Sequence, residues 1–121
     1  MSDNMNKPSF SPNVYSNRWT LDRLLCVDIG ERTLVIHEGF ECDGASIPRV
    51  LWRLVGPPTT PRGIRAAFVH DYLYTHGDRL EFTRKQADAV FLRLMREDRS
   101  EKPWLKWVAV RLFAAGHWES C

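Results

Sequence analysis

The chain has 121 residues and a formal net charge of +2, with 44% hydrophobic and 26% charged residues. This length suits one domain, and the composition is that of a globular protein rather than a disordered chain. The small positive charge gives no reason to expect a nucleic-acid-binding protein. No stretch of the sequence approaches the roughly 18 consecutive apolar residues of a membrane-spanning helix.

The first 17 residues are polar, rich in Ser, Asn and Pro, and lack the apolar segment of a signal peptide. We expect residues 1–17 to be a flexible or extended arm and residues 18–121 to form a single globular domain. Two β-like stretches follow, at residues 19–27 and 32–42, separated by a turn signal that contains Gly30. Their spacing predicts a two-stranded hairpin.

The rest of the sequence is typical of helices. A short helix is predicted over residues 49–55, before the Gly-Pro-rich stretch 56–61 breaks the chain. A nearly all-apolar helix is predicted from Pro61 to Thr75, a second helix after the capping box that starts at Thr83, and a third from Pro103 to Gly116. The predicted fold class is α+β, an N-terminal β-hairpin packed on a three-helix core.

Two polar residues stand out within these apolar helices. His70 lies in the most apolar helix, and Asp88 lies at the edge of the apolar stripe of the next one. If the two helices pack antiparallel, the Asp88 carboxylate can reach the His70 imidazole. A carboxylate on one ring nitrogen leaves the other nitrogen as a base. The same geometry also fits a structural pair that only satisfies two buried polar groups, so both interpretations stay open.

A cation site is suggested by the loop after the second strand. Asp43 and Asp71 would supply carboxylates, and the loop at Gly44 would supply main-chain carbonyls. Hard oxygen ligands of this kind favour calcium or magnesium over zinc. The alternative is that Asp43 is a turn or cap residue and Gly44 provides an unusual backbone angle.

The order of these motifs resembles two families. The strings F-E-C-D-G-A-S-I-P-R-V-L-W, H-D-Y-L-Y, T-R-K-Q-A-D-A-V-F and A-V-R-L-F resemble a phage-associated family of unknown function. More distantly, the H-D-x-x-Y helix followed by an Asp-x-x-Phe helix resembles the small prokaryotic secreted phospholipases A2. The secreted enzymes carry a signal peptide and disulfides, and we expect this chain to have neither.

The resemblance to phospholipase A2 implies a phospholipase A2-like helical core and a specific role for each site residue. His70 would be the general base, Asp88 would orient it, and Tyr74 would hydrogen-bond Asp88. Calcium would be the cofactor, held by Asp71, Asp43 and Gly44. The chain would then be a phage-encoded, calcium-dependent ester hydrolase.

Other residues suggest where partners bind. Trp52, Arg49 and Arg53 form an Arg–Trp cluster that suits a phospholipid or membrane surface, although a solvated helix face would look the same. The competing hypothesis is a non-enzymatic virion or accessory protein that binds other phage structural proteins. Either kind of protein is expected in the cytoplasm of a bacterial host or inside a virion.

Overall fold

The computed structural model describes residues 8–13, 18–30, 32–42, 47, 49–56, 62–77 and 79–118. The chain forms two compact units, Met1–Asp43 and Gly44–Cys121. Their boundary lies within the segment that was expected to form one domain. Among the described residues, the first unit contains the strands and the second contains the helices, so the fold is α+β, as predicted from the sequence.

The first unit holds two small antiparallel sheets. One has the strand order β1-β2-β5 and the other pairs β3 with β4. No disulfide joins Cys26 and Cys42. The strands are β1 Phe10–Asn13, β2 Arg18–Leu21, β3 Leu25–Asp28, β4 Thr33–Ile36 and β5 Glu41–Cys42.

The predicted hairpin is present but is shorter than the sequence indicated. Leu25 pairs with Ile36 and Asp28 with Thr33, and the buried side chains alternate along both strands. The turn places Gly30 at a φ of 106°, a conformation that glycine adopts without strain. The ends of the two β-like stretches instead form β2 and β5, which pair in the other sheet.

Strand β1 lies inside the segment that was expected to be a flexible or extended arm. It pairs along its whole length with β2, and the Phe10 ring packs edge-on against Trp19 with centroids 5.4 Å apart. Pro12 interrupts the alternating pattern, which is why the sequence alone did not predict a strand here. Proline is tolerated because β1 is at the edge of its sheet.

The described part of the second unit contains four α-helices, of which the first is a single turn. Thr83 caps the third helix, because its hydroxyl accepts from the Gln86 N–H at 3.1 Å and its own N–H donates to the Gln86 side chain at 2.8 Å. This is the predicted capping box. The helices are α1 Trp52–Val55, α2 Ile64–His76, α3 Arg84–Glu97 and α4 Pro103–Phe113.

Helix α2 is largely buried, as its apolar sequence predicted. It packs on α3, and α3 packs on α4. Arg65 ties α2 to the end of α3 through hydrogen bonds to both carboxylate oxygens of Asp98, at 2.9 and 3.0 Å. No helix in the described part of the chain is both long and apolar enough to cross a bilayer.

Candidate functional site

The interface of α2 and α3 brings His70 and Asp88 together. The distance from His70 Nε2 to Asp88 Oδ1 is 2.7 Å, and the side chains are 1% and 0% exposed. The ring lies between aromatic neighbours, with centroids 4.2 Å from Tyr74 and 4.4 Å from Phe91. Both polar groups are therefore buried in a tightly packed environment.

Tyr74 completes this arrangement from one helical turn beyond His70. Its hydroxyl donates to the same oxygen, Asp88 Oδ1, at 2.6 Å. Residues four apart lie on one face of a helix, so a single face of α2 presents both donors to Asp88. Burial raises the pKa of Tyr74, and the hydrogen bond to the carboxylate raises it further, so this hydroxyl stays a donor.

The other oxygen of Asp88 is bound by an arginine that sequence reasoning missed. Arg111 Nη1 of α4 donates to Asp88 Oδ2 at 2.8 Å. Arg84 Nε donates to the Tyr74 hydroxyl at 3.0 Å, and its Nη2 donates to the carbonyls of Val110 and Arg111. Two features of the sequence could have indicated these contacts. Arg84 stands four residues before Asp88, and Arg111 lies inside the apolar last helix.

The electrostatics of Asp88 follow from these partners. Burial alone would raise the pKa of its carboxyl group. The hydrogen bonds and charge of its neighbours outweigh burial and hold the pKa below its ordinary value, His70 contributing most, then Tyr74 and Arg111. A carboxylate that accepts from Nε2 selects the ring tautomer in which Nδ1 carries the free lone pair.

The predicted calcium ligands are only partly placed by the structure. Asp71 is a partly buried residue of α2, next to His70, and its main-chain carbonyl accepts from the Thr75 hydroxyl at 2.9 Å. Asp43 and Gly44 lie outside the described residues. Within the described ranges, no three His, Cys, Asp or Glu side chains form a group that could hold a metal.

In the predicted Arg–Trp surface cluster, Trp52 is held by a hydrogen bond to the main chain. Trp52 is partly buried, and its indole Nε1 donates to the Ile47 carbonyl at 2.9 Å. Arg53 is exposed on the same short helix. Arg49 lies in the 3-10 turn that precedes this helix, and its side chain is outside the described part of the structure.

A second buried polar pair lies on the inner side of α4. Lys106 is 1% exposed, and its Nζ donates to the Ser100 hydroxyl at 3.1 Å. Burial lowers the pKa of this ammonium group. Nothing in the sequence indicated this arrangement, because a lysine in an amphipathic helix is ordinarily on the solvent side.

Comparison with known proteins places these residues in a family. Residues 19–110 match the family described as "Protein of unknown function (DUF1353)". The chain belongs to this family. The region shared with DUF1353 contains the His70–Asp88–Tyr74 network and ends at Val110, one residue before Arg111.

One curated relative is similar to part of the chain. The uncharacterized protein y4iH of Sinorhizobium fredii (strain NBRC 101917 / NGR234) is 39% identical over 74 residues. The match spans 61% of this chain but only 30% of the relative. No solved structure matches the chain.

Proposed function

We propose that this protein is a phospholipase A2-like hydrolase of carboxylic esters. The observation that supports the proposal best is the 2.7 Å contact between His70 Nε2 and Asp88, which would leave Nδ1 of the ring as the proton acceptor. His70 would take a proton from water, whose oxygen attacks the ester carbonyl. The proton then passes to the leaving alkoxide, which gives a fatty acid and an alcohol.

Three residues position this base. Asp88 fixes the tautomer of the His70 ring and stabilises the imidazolium that forms during attack. Tyr74 and Arg111 hold the carboxylate itself through one hydrogen bond to each oxygen. A positioned general base contributes about 10²–10⁴-fold to a rate, so further stabilisation of the oxyanion is needed.

Calcium would supply that stabilisation when bound, by polarising the ester carbonyl. We propose Asp71, Asp43 and Gly44 as its ligands, from the phospholipase A2 resemblance. The placement of Asp71 beside the base on α2 is compatible with this role. The substrate would be a phospholipid in a membrane, attacked during phage entry into the host or lysis of the host.

A second candidate function is favoured by the burial of the ring. His70 is 1% exposed, whereas a base that acts on a lipid must be reached by water and ester. In this alternative the chain is a non-enzymatic phage virion or accessory protein. The network of His70, Tyr74 and Asp88 then only fixes how α2, α3 and α4 pack.

The substitution His70→Gln distinguishes the hydrolase from the structural protein. The glutamine amide can donate to Asp88 as Nε2 does, but it cannot accept a proton from water. The matched control is His76→Gln, the same change on the same helix outside the network. Fatty-acid release from mixed phospholipid vesicles is measured with calcium and with a chelator, beside urea unfolding of each variant.

For the hydrolase, we expect calcium-dependent release that falls by about 100-fold or more in His70→Gln, with stability kept and His76→Gln unchanged. For the structural protein, the wild type releases no fatty acid with either calcium or chelator. His70→Ala then lowers the free energy of unfolding by roughly 2–5 kcal/mol, because Asp88 loses a donor and the buried ring leaves a cavity, while His70→Gln restores most of this loss.

A further inference from the structure

Helix α4 exposes apolar side chains to solvent and buries a charged one, the reverse of an ordinary amphipathic helix. Successive residues are turned by about 100° around a helix, so four large apolar side chains fall within one arc of about 100°. All four are between 40% and 68% exposed. We call this arc the α4 face; it consists of Trp104, Leu105, Val108 and Leu112. The opposite side carries the buried Lys106, so the one lysine of the helix points inward.

Cations flank the α4 face, whereas Glu97 and Asp98, the acidic residues between Arg96 and Arg99, are held in ion pairs with Arg65. From Lys102 to Trp118 the sequence contains no Asp or Glu. The Arg96 guanidinium lies over the Trp104 ring, 5.4 Å from its centroid, and Arg99 and Lys102 are exposed just before the helix begins. Glu101 is the single acidic residue between Arg99 and Pro103. An apolar stripe with tryptophan and flanking cations complements an anionic lipid surface.

The α4 face is too small for a stable protein–protein interface. Stable protein interfaces involve about 20–30 residues a side, whereas this stripe has four side chains on a helix about 16 Å long. A lipid interface requires no matching surface and accepts a short apolar stripe. Trp and Arg together are suited to the boundary between headgroups and acyl chains.

We propose that the α4 face is the surface through which this protein binds anionic phospholipid bilayers. The choice of lipid over another occupant rests in part on the proposed function, since a phospholipid hydrolase must reach its substrate in a membrane. The membrane-binding surface is then on α4 and not at Trp52, whose indole N–H already donates to the Ile47 carbonyl.

The test uses vesicles of ether-linked lipids, which cannot be hydrolysed, so binding is measured without turnover. The full chain is sedimented with vesicles of phosphatidylglycerol and phosphatidylethanolamine, or of phosphatidylcholine alone, in the presence of a chelator. Val108→Gln/Leu112→Gln removes two members of the α4 face. The matched control is Val35→Gln/Leu54→Gln, because Val35 and Leu54 are 38% and 66% exposed, against 40% and 68% for Val108 and Leu112.

We expect the wild type to bind the anionic vesicles, and the α4 double variant to bind them at least about tenfold more weakly. The control double variant should stay within about twofold of wild type, and Arg96→Gln should reduce the preference for the anionic lipid. Circular dichroism checks that all variants are folded, as expected for exposed positions.

Equal binding by both double variants, or no binding by the wild type, would overturn the proposal. Sedimentation equilibrium tests the rival occupant, a second copy of the chain. A wild-type dimer that Val108→Gln/Leu112→Gln converts to monomers, with no change in vesicle binding, would assign the face to self-association instead. Because His70→Gln leaves this face intact, loss of hydrolysis and loss of binding remain separate outcomes.

Discussion

Replacing Asp88 with asparagine is the most direct way to test the buried network. The amide has the shape of the carboxylate but carries no charge and presents an NH₂ donor to one of its neighbours. In the structure each carboxylate oxygen already accepts a short bond, from His70 and Tyr74 on one side and from Arg111 on the other. The substituted amide can accept from one side only, and its NH₂ group would then face Arg111 or the His70–Tyr74 pair.

The expected cost follows from burial. Removing one partner of a buried ion pair typically costs about 3–5 kcal/mol. Arg111 is 30% exposed and can turn to water, so we expect Asp88→Asn to cost roughly 3 kcal/mol. For a chain of this length that is a fall in Tm of about 10–15 °C. Urea unfolding followed by circular dichroism measures the free energy, and a thermal scan measures Tm.

The control for Asp88→Asn is a double-mutant cycle with Arg111→Met, which keeps the aliphatic stem and removes the charge. The double variant should be more stable than the sum of the single effects predicts, by roughly 1.5–3 kcal/mol, because the uncompensated arginine is gone. A cost below about 1 kcal/mol for Asp88→Asn, with no coupling to Arg111→Met, would refute the interpretation of Asp88 as a buried charged hub.

Three further outcomes are expected. The pKa of Asp88 is lower in the folded protein than in the unfolded chain, so its contribution to the free energy of unfolding is present above about pH 4 and is lost as the pH falls through the folded value. When urea unfolding is measured at a series of acidic pH values, the free energy of unfolding should therefore fall more steeply for the wild type than for Asp88→Asn. Lys106→Met should raise the free energy of unfolding by about 1 kcal/mol at pH 7 and by less towards about pH 10. The reason is that burial lowers the pKa of Lys106, so the unfolded chain binds the lysine proton more tightly than the folded protein does. A Lys106→Met variant that is less stable than wild type at pH 7 would contradict this. Gly77→Ala should lower stability by about 1–3 kcal/mol because a Cβ there collides with Trp118, whereas Gly116→Ala, with open space around it, should change little in the same unfolding assay.

The sequence was most informative where one local rule was sufficient. The capping box at Thr83 determined the start of α3, and the apolar run before Thr75 marked α2 as the buried helix. The approach of Asp88 to His70 was also foreseeable, because one polar residue on each of two apolar helices needs a partner. Strand β1 was missed because Pro12 hides its pattern, and its pairing with β2 depends on residues elsewhere in the chain.

The sequence alone was therefore sufficient for the α+β class, the main helices, and a pair of polar residues that could meet if their two helices packed together. Only the tertiary structure decided which side chains complete that pair and which side of α4 faces the solvent. Arg111 reaches Asp88 across 23 residues of sequence, and Lys106 is buried against the usual pattern of a charged helix position. Local propensity carries no information about such contacts, because they depend on how whole helices pack.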